Sequence, residues 1–240
     1  MVIDHINSER PKDLLYLGVD VQIRRPCTTY VLDQNLNYVE SGLLDGGDIG
    51  ATCKNLRTLV DSLGDQYGKG LAVGIDAPRI GLPSPRTWYW RNGGWVPRSN
   101  TEKGYGRHCE VVIKALGLGN PQWTRLAGNS PLWMMLGYRL FEVLSELKDV
   151  FEVFPSASYH MLRDVAHPTI GLCLNNFASQ PKDMLDACVA AYTVWAFING
   201  QGTEVGGGDG LGTIVLPKKP ADSTSNSVLN WPDSQAGIAE

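Results

Sequence analysis

Apolar residues form short, nearly unbroken blocks in the first third of the chain, and two of these blocks lead into a carboxylate. The first covers residues 14–20 and ends at Asp20, while the second covers residues 71–78 and contains Asp76. Apolar runs of this length, bounded by turn residues, are typical of strands that are buried on both faces. A carboxylate at the end of such a strand is costly unless a cation, hydrogen bonds or a metal offset its charge. The pattern therefore predicts two buried strands whose ends carry candidate functional acids.

The segments between these two strands predict how they are arranged. Residues 28–32 are β-branched and aromatic and residues 38–44 alternate well enough for a strand, so three strands joined by short turns form a predicted antiparallel meander. Residues 49–63 place apolar side chains at helical spacing. A strand that is reached through a helical crossover lies parallel to the strand before it. Asp20 and Asp76 are therefore predicted to meet at the same edge of the sheet.

Residues 79–130 interrupt the regular pattern and are predicted to be an insertion that leaves from the end of the Asp76 strand. A short helix is predicted within residues 102–116, with Arg107 on it. A long insertion at this place is where a lid or a substrate-facing loop would lie. Its aromatic and basic residues suit stacking on bases and contacts to phosphate, but they suit an internal minicore or a dimer contact equally well. These residues are Trp88, Tyr89, Trp90, Trp95, Arg79, Arg86, Arg91 and Arg98.

The second half of the chain supplies further acids. A helix is predicted over residues 130–147 with Ser130 as its N-cap, followed by a buried strand that carries Glu152 in its middle. A long helix is predicted from residue 180 to about residue 199, and Asp183 and Asp186 share one face of it because they are three residues apart. Small residues follow Asp186, so this helix can pack closely on the sheet and direct the acid towards it. The alternative is that the two acids only complement the helix dipole.

Length, composition and charge limit the possible domain organisation and functions of the protein. The 240 residues predict one domain over residues 1–217, with a glycine-rich hairpin at residues 200–216 and a flexible tail at residues 218–240. No apolar run approaches the roughly 20 residues that cross a bilayer. The five scattered cysteines suggest reduced thiols and a cytoplasmic protein. A net charge of -4 argues against broad nonspecific binding of nucleic acid through a basic face.

The order of these elements resembles the ribonuclease H-like fold. More narrowly, four short motifs are similar to an uncharacterised family of predicted nucleases of this fold, domain of unknown function 429, over roughly residues 14–217. The motifs are GVD at 18–20, GIDAP at 74–78, EVFP at 152–155 and DxxDAxxAA at 183–191. The segment around Arg107 matches more loosely. The resemblance implies an α/β fold with a mixed five-stranded sheet, the meander plus parallel strands, flanked by helices.

The resemblance also implies a metal-dependent nuclease or related phosphodiesterase with nucleic acid or a nucleotide as its substrate. No basic side chain is obviously supplied to neutralise the converging acids, so Mg²⁺ or Mn²⁺ is the expected cofactor. Asp20 is expected to bridge two ions and Asp76 and Asp186 to bind one each, with Asp183 or Glu152 as an outer or alternative ligand. The expected catalytic acids are Asp20, Asp76, Glu152, Asp183 and Asp186. The expected substrate contacts are Arg79 and Arg107 to phosphate and Trp88 to a base.

Two other functions remain open from the sequence. A nucleotide-dependent phosphotransferase of related fold would also place an aspartate on the first strand, but Gln22 to Arg25 follow that strand here in place of a glycine-rich phosphate loop. A non-catalytic protein that keeps the fold and binds a partner or a small ligand is the other alternative. A homodimer is possible.

Overall fold

A computed structural model describes residues 13–45, 48–163, 181–220 and 226–232 of the chain. The strands are β1 Leu14–Asp20, β2 Cys27–Leu32, β3 Tyr38–Leu44, β4 Gly70–Asp76, β5 Trp88–Arg91, β6 Gly94–Pro97, β7 Val150–Glu152, β8 Thr203–Gly206 and β9 Thr213–Leu216. The helices are α1 Ile49–Tyr67, α2 His108–Ala115, α3 Leu132–Val143, α4 Pro155–Leu162 and α5 Pro181–Ile198, with 3-10 turns at Ala127–Asn129 and Asn226–Leu229.

The protein is built on a mixed five-stranded sheet in the order β3-β2-β1-β4-β7. The first three strands form the predicted antiparallel meander, and β4 lies parallel to β1 with Asp20 directly opposite Asp76. The predicted meeting of these two aspartates at one edge is therefore confirmed for the backbone. Strand β7 lies parallel to β4 on its other side, with Glu152 opposite Ile75. Glu152 is the last residue of β7 and not its middle, so it lies at the same edge as the aspartates.

The two faces of the sheet are covered by different helices. Alternate residues of β1 point to opposite faces, as the period of a strand requires. Leu15 and Leu17 belong to the hydrophobic core shared with α1 and α3, whereas Leu14 and Tyr16 belong to the core shared with α5. The sheet is therefore buried on both faces, which explains why β1 reads as a continuous apolar run.

Glycine in β1 and β4 allows α5 to approach the sheet very closely. A Cβ on Gly18 would lie 1.9 Å from the carbonyl oxygen of Ala187, and a Cβ on Gly74 would lie 2.9 Å from that of Ala190. No side chain fits between these backbones, so both positions require glycine. The glycine that precedes each strand-end aspartate by two residues therefore has a packing role, and it brings the start of α5 close to the ends of β1 and β4.

The insertion at residues 79–130 contains a hairpin that the sequence analysis missed. Strands β5 and β6 pair antiparallel, and the turn residues Asn92 and Gly93 both have positive φ, at 51° and 79°. These angles suit a tight hairpin turn, for which Asn-Gly is a strong sequence signal. Trp90 and Trp95 pack against the hydrophobic core that surrounds α2, β8 and β9. For these residues the internal minicore is the alternative that the structure supports.

Two further predictions need correction. Ser130 does not cap α3, because Pro131 is the N-cap residue and the Ser130 hydroxyl contacts the Leu126 carbonyl and the Tyr138 hydroxyl.

The predicted flexible tail is wrong for residues 226–232, where Val228 is buried and its carbonyl accepts a hydrogen bond from the His108 ring. Residues 221–225 and 233–240 of that tail, and the predicted helix start at residue 180, lie outside the described residues. The predicted hairpin at residues 200–216 is confirmed by the pairing of β8 with β9.

No helix in the described part of the chain is long and apolar enough to cross a membrane.

Candidate functional site

A cavity of about 510 Å³ opens at the edge of the sheet where β1, β4 and β7 end. Its wall comes from the strand ends, from the loop after β1, from the insertion and from the first turns of α3 and α5. Five acids and three basic residues line it: Asp20, Asp76, Glu110, Glu152, Asp186, Arg24, Arg25 and Lys182. The topology of the sheet thus gathers in one cavity four of the five acids that the sequence analysis selected.

Asp20 and Asp76 are neighbours at the ends of adjacent parallel strands. Asp20 is buried, and its Oδ2 atom accepts a hydrogen bond of 2.8 Å from the side-chain amide of Gln22. Asp76 is partly buried, and its carboxylate has no hydrogen bond or ion pair with the described residues. A buried or half-buried carboxylate without a partner is unfavourable. Asp76 is therefore the acid in this cavity that most needs a ligand.

Burial and mutual repulsion disfavour the charged forms of both aspartates. Loss of hydration raises the pKa of Asp20 to about 6, with a further contribution from Asp186 and Asp183 and an opposing one from the Gln22 hydrogen bond. Loss of hydration also raises the pKa of Asp76 well above its usual range, with Asp20, Asp186 and Glu152 adding to the effect. Like charges that share a site shift each other in this direction. A cation bound between them would remove the repulsion.

Asp186 lies in the second turn of α5 and is held on two sides. Its Oδ1 atom accepts a hydrogen bond of 2.7 Å from the Tyr159 hydroxyl of α4, and its Oδ2 atom lies 2.5 Å from the Lys182 ammonium. The predicted approach of this acid to the sheet is supported by its burial and by its electrostatic effect on Asp20 and Asp76. Asp183, one turn earlier, is paired with Arg25 at 2.8 Å and is not among the residues that line the cavity.

Both carboxylate oxygens of Glu152 accept hydrogen bonds from other residues of the protein. Its carboxylate accepts hydrogen bonds from the backbone N–H of Arg79 at 2.8 Å and from both terminal nitrogens of Arg107, one of them at 2.7 Å. Arg107 also pairs with Glu110 at 3.0 Å, and the backbone N–H of Thr124 donates to Glu110 at 2.9 Å. With these oxygens occupied, Glu152 is a poor candidate for a metal ligand.

The expected role of Arg107 as a phosphate contact is wrong. The side chain is 0% exposed, so it cannot reach a substrate, and it serves as the common partner of Glu110 and Glu152. The premise that no basic side chain neutralises the acids is also wrong, because Arg107, Lys182 and Arg25 each pair with one or more of them. Glu152 lies 45 positions after Arg107, and the sequence carries no local signal of their contact.

The expected substrate contacts of Arg79 and Trp88 are not supported either. The Arg79 guanidinium donates to the carbonyl of Val150 and lies 4.8 Å from the centre of the Phe141 ring, and Arg79 does not line the cavity. Trp88 is buried in β5, which leaves no free ring face for a base. These residues stabilise the insertion and its contact with the sheet.

The cavity wall contains three residues that the sequence analysis missed. Trp133, in the first turn of α3, is partly buried and supplies an aromatic surface, while Arg24 is exposed at the rim and forms no ion pair with the described residues. Glu110 lies deeper, in the network with Arg107. A tryptophan directly after the helix-starting Leu132, and two adjacent arginines in the loop that follows the first strand, are the sequence signals that could have identified Trp133 and Arg24.

The donor set has the chemistry of a hard cation site but lacks one ligand. Carboxylate oxygens suit Mg²⁺ or Mn²⁺, and Asp20 and Asp76 stand side by side at the strand ends. Among the residues that the structure describes, however, no group of three histidine, cysteine, aspartate or glutamate side chains is arranged to hold a metal ion. Asp186 is a further acid in the cavity, but its Oδ2 atom is paired with Lys182.

Comparison of the chain with known families and curated proteins found no family model and no curated sequence that matches it.

Proposed function

We propose that the protein is a divalent-metal-dependent phosphodiesterase of ribonuclease H-like fold, and that it hydrolyses nucleic acid. The observation that carries the proposal is the pair of strand-end aspartates: Asp20 and Asp76 are adjacent in register, both have raised pKa values, and Asp76 has no partner among the described residues. A structural role does not explain this pair, because the two charges repel each other and neither carboxylate has an ion pair with the described residues. Mg²⁺ or Mn²⁺ is the cofactor that we propose.

In this proposal, one set of acids binds the cation and another supports the strand ends. Asp20 and Asp76 would hold the cation, with Asp186 as the third ligand, and the Tyr159 hydroxyl donates to the Asp186 carboxylate and orients it. When bound, the cation supplies the positive charge that activates a water and stabilises the leaving oxygen of a phosphodiester. Glu152 and Glu110 keep the strand ends in place through Arg107 and do not contact the substrate.

Substrate binding is assigned to the rim of the cavity. Arg24 is exposed and available to a phosphate group, and Trp133 offers a ring on which a base can stack. These few groups in an acidic protein favour a short stretch of nucleic acid over a long duplex, since little counterion release accompanies so few phosphate contacts.

A non-catalytic binding protein of the same fold is the second candidate. It is favoured by one observation: the ion pair of Asp186 with Lys182 leaves the described residues without a third metal ligand. In that case the cavity would bind its ligand without hydrolysing it.

Metal removal separates the two candidates. The full chain is incubated with labelled single-stranded and duplex oligonucleotides, DNA and RNA, and with bis(p-nitrophenyl) phosphate. We expect hydrolysis with Mn²⁺ or Mg²⁺, none after treatment with EDTA, and recovery when the metal is returned. Binding of an oligonucleotide in Ca²⁺ without hydrolysis in Mn²⁺ would favour the non-catalytic candidate. Hydrolysis that continues unchanged in EDTA would contradict metal dependence.

A further inference from the structure

The ion pair between Lys182 and Asp186 joins an exposed lysine to a buried carboxylate. The Lys182 side chain is 80% exposed, yet its ammonium lies 2.5 Å from a carboxylate that is 9% exposed and faces a cavity. The two residues are four apart on α5 with the lysine first, which is the less favourable orientation for such a pair on a helix. The i,i+4 spacing places the two side chains on one face of the helix, and the charges of Asp20 and Asp76 add to the attraction.

Lys182 interacts with all three acids that surround the proposed metal position. Besides the direct contact with Asp186, its charge favours the ionised forms of Asp20 and Asp76. The Lys182 ammonium therefore has the electrostatic role that a divalent cation would have, with one positive charge in place of two.

The two oxygens of the Asp186 carboxylate have different partners, so one partner can be exchanged while the other stays. The Tyr159 hydroxyl donates to Oδ1 at 2.7 Å, and this contact does not involve Lys182. If the lysine moves away, the carboxylate keeps its orientation and its Oδ2 atom becomes free within the cavity. The lysine can move at low cost, because most of its side chain is already in solvent.

From this geometry we infer that Lys182 is a displaceable counter-ion of the site, and that a divalent cation binds by replacing its ammonium at Asp186. The inference rests on the proposed metal site. It also identifies a third acid for the site, because Asp186 lines the cavity and its Oδ2 atom pairs with Lys182 in the metal-free protein. It also gives the metal-free protein a means of reducing the repulsion among Asp20, Asp76 and Asp186.

The test is a calorimetric titration of the full chain with Mn²⁺, comparing wild type with Lys182→Met and Arg24→Met. Arg24 lines the same cavity but has no ion pair with the described residues, so its variant measures the general effect of removing a nearby positive charge. We expect Lys182→Met to bind Mn²⁺ at least about tenfold more tightly than Arg24→Met, because a direct competitor is lost as well as a charge. We also expect the metal-free Lys182→Met variant to unfold at a lower temperature than metal-free Arg24→Met.

The results of the titration and of the hydrolysis assay distinguish failure of the lysine exchange from failure of the proposed function. Equal Mn²⁺ affinities for Lys182→Met and Arg24→Met would overturn the exchange while leaving the proposed function intact. Tighter binding by Lys182→Met in a protein that hydrolyses no phosphodiester would support the exchange and refute the function. No binding of Mn²⁺ to any of the three proteins would overturn both.

Discussion

Replacement of Arg107 by methionine is expected to lower the free energy of unfolding by about 3–5 kcal/mol, because it leaves buried charges without their partner. Arg107 is 0% exposed and donates hydrogen bonds to both Glu110 and Glu152. Methionine fills similar space but supplies no charge and no donor. Two buried carboxylates would then keep only neutral hydrogen-bond donors, such as the backbone N–H groups of Arg79 and Thr124, and would have to ionise without a partner charge or bind protons. Urea unfolding at pH 7.5 measures the loss.

Arg139→Met is the matched control for this experiment. Arg139 pairs with Glu142, but the two side chains are 56% and 62% exposed, so the pair is expected to contribute less than about 1 kcal/mol. Adding Glu110→Gln to Arg107→Met should restore part of the lost stability, since it removes one of the two orphaned charges. A loss below about 1 kcal/mol for Arg107→Met would show that the buried network is not a stabilising element.

The Asp20→Asn variant is expected to lose hydrolytic activity by at least about 100-fold, since even outer-shell changes at metal sites cost 10- to 100-fold. At the same time, the metal-free variant should be more stable than wild type at neutral pH. The pKa of Asp20 is raised from 3.8 to about 6, which corresponds to a cost of about 3 kcal/mol once the group is ionised. Asparagine carries no charge and avoids this cost.

The sign of the pH dependence follows from the same shift. A raised pKa means that the folded protein binds the proton more tightly than the unfolded chain does. The Asp20 carboxyl therefore supports folding below about pH 4 and loses this contribution as the pH rises through about 6. In EDTA, the stability advantage of Asp20→Asn should be absent near pH 4 and fully developed near pH 8. Asp65→Asn, on the exposed side of α1, is the control for removing an aspartate that lies outside the cavity. An advantage that is equal at both pH values would argue against a perturbed Asp20.

The sequence predicted the sheet well because its strands carry strong local signals. Strand β1 was predicted with the bounds that the structure has, and the glycine two residues before Asp20 and Asp76 proved to mark the contact with α5. Parallel pairing followed from the helical crossover, so the meeting of the two aspartates could be deduced before any contact was known. These inferences depend on the spacing of apolar residues within each strand and on the handedness of the crossover between strands, and a short stretch of sequence is enough to indicate both.

The rest of the site depends on contacts between distant residues. Lys182 was not recognised because an exposed lysine near a helix start has no distinctive pattern, and its role appears only when the cavity is formed. Arg107 was misassigned for a related reason: an arginine in a loop-rich insertion has the same sequence signal whether it faces a phosphate or a buried glutamate. The burial of Trp88 likewise depends on the packing of the insertion on the domain.

A crystal of the metal-free protein soaked in Mn²⁺ shows whether Asp20 and Asp76 bind a divalent cation, because the anomalous signal of manganese locates the ion without reference to activity. We expect a peak within about 2–2.5 Å of carboxylate oxygens of both Asp20 and Asp76. We also expect the Lys182 ammonium to have left Asp186. A soaked crystal with no peak between these carboxylates, or with the two carboxylates pointing to opposite sides of the sheet, would contradict the proposed metal site.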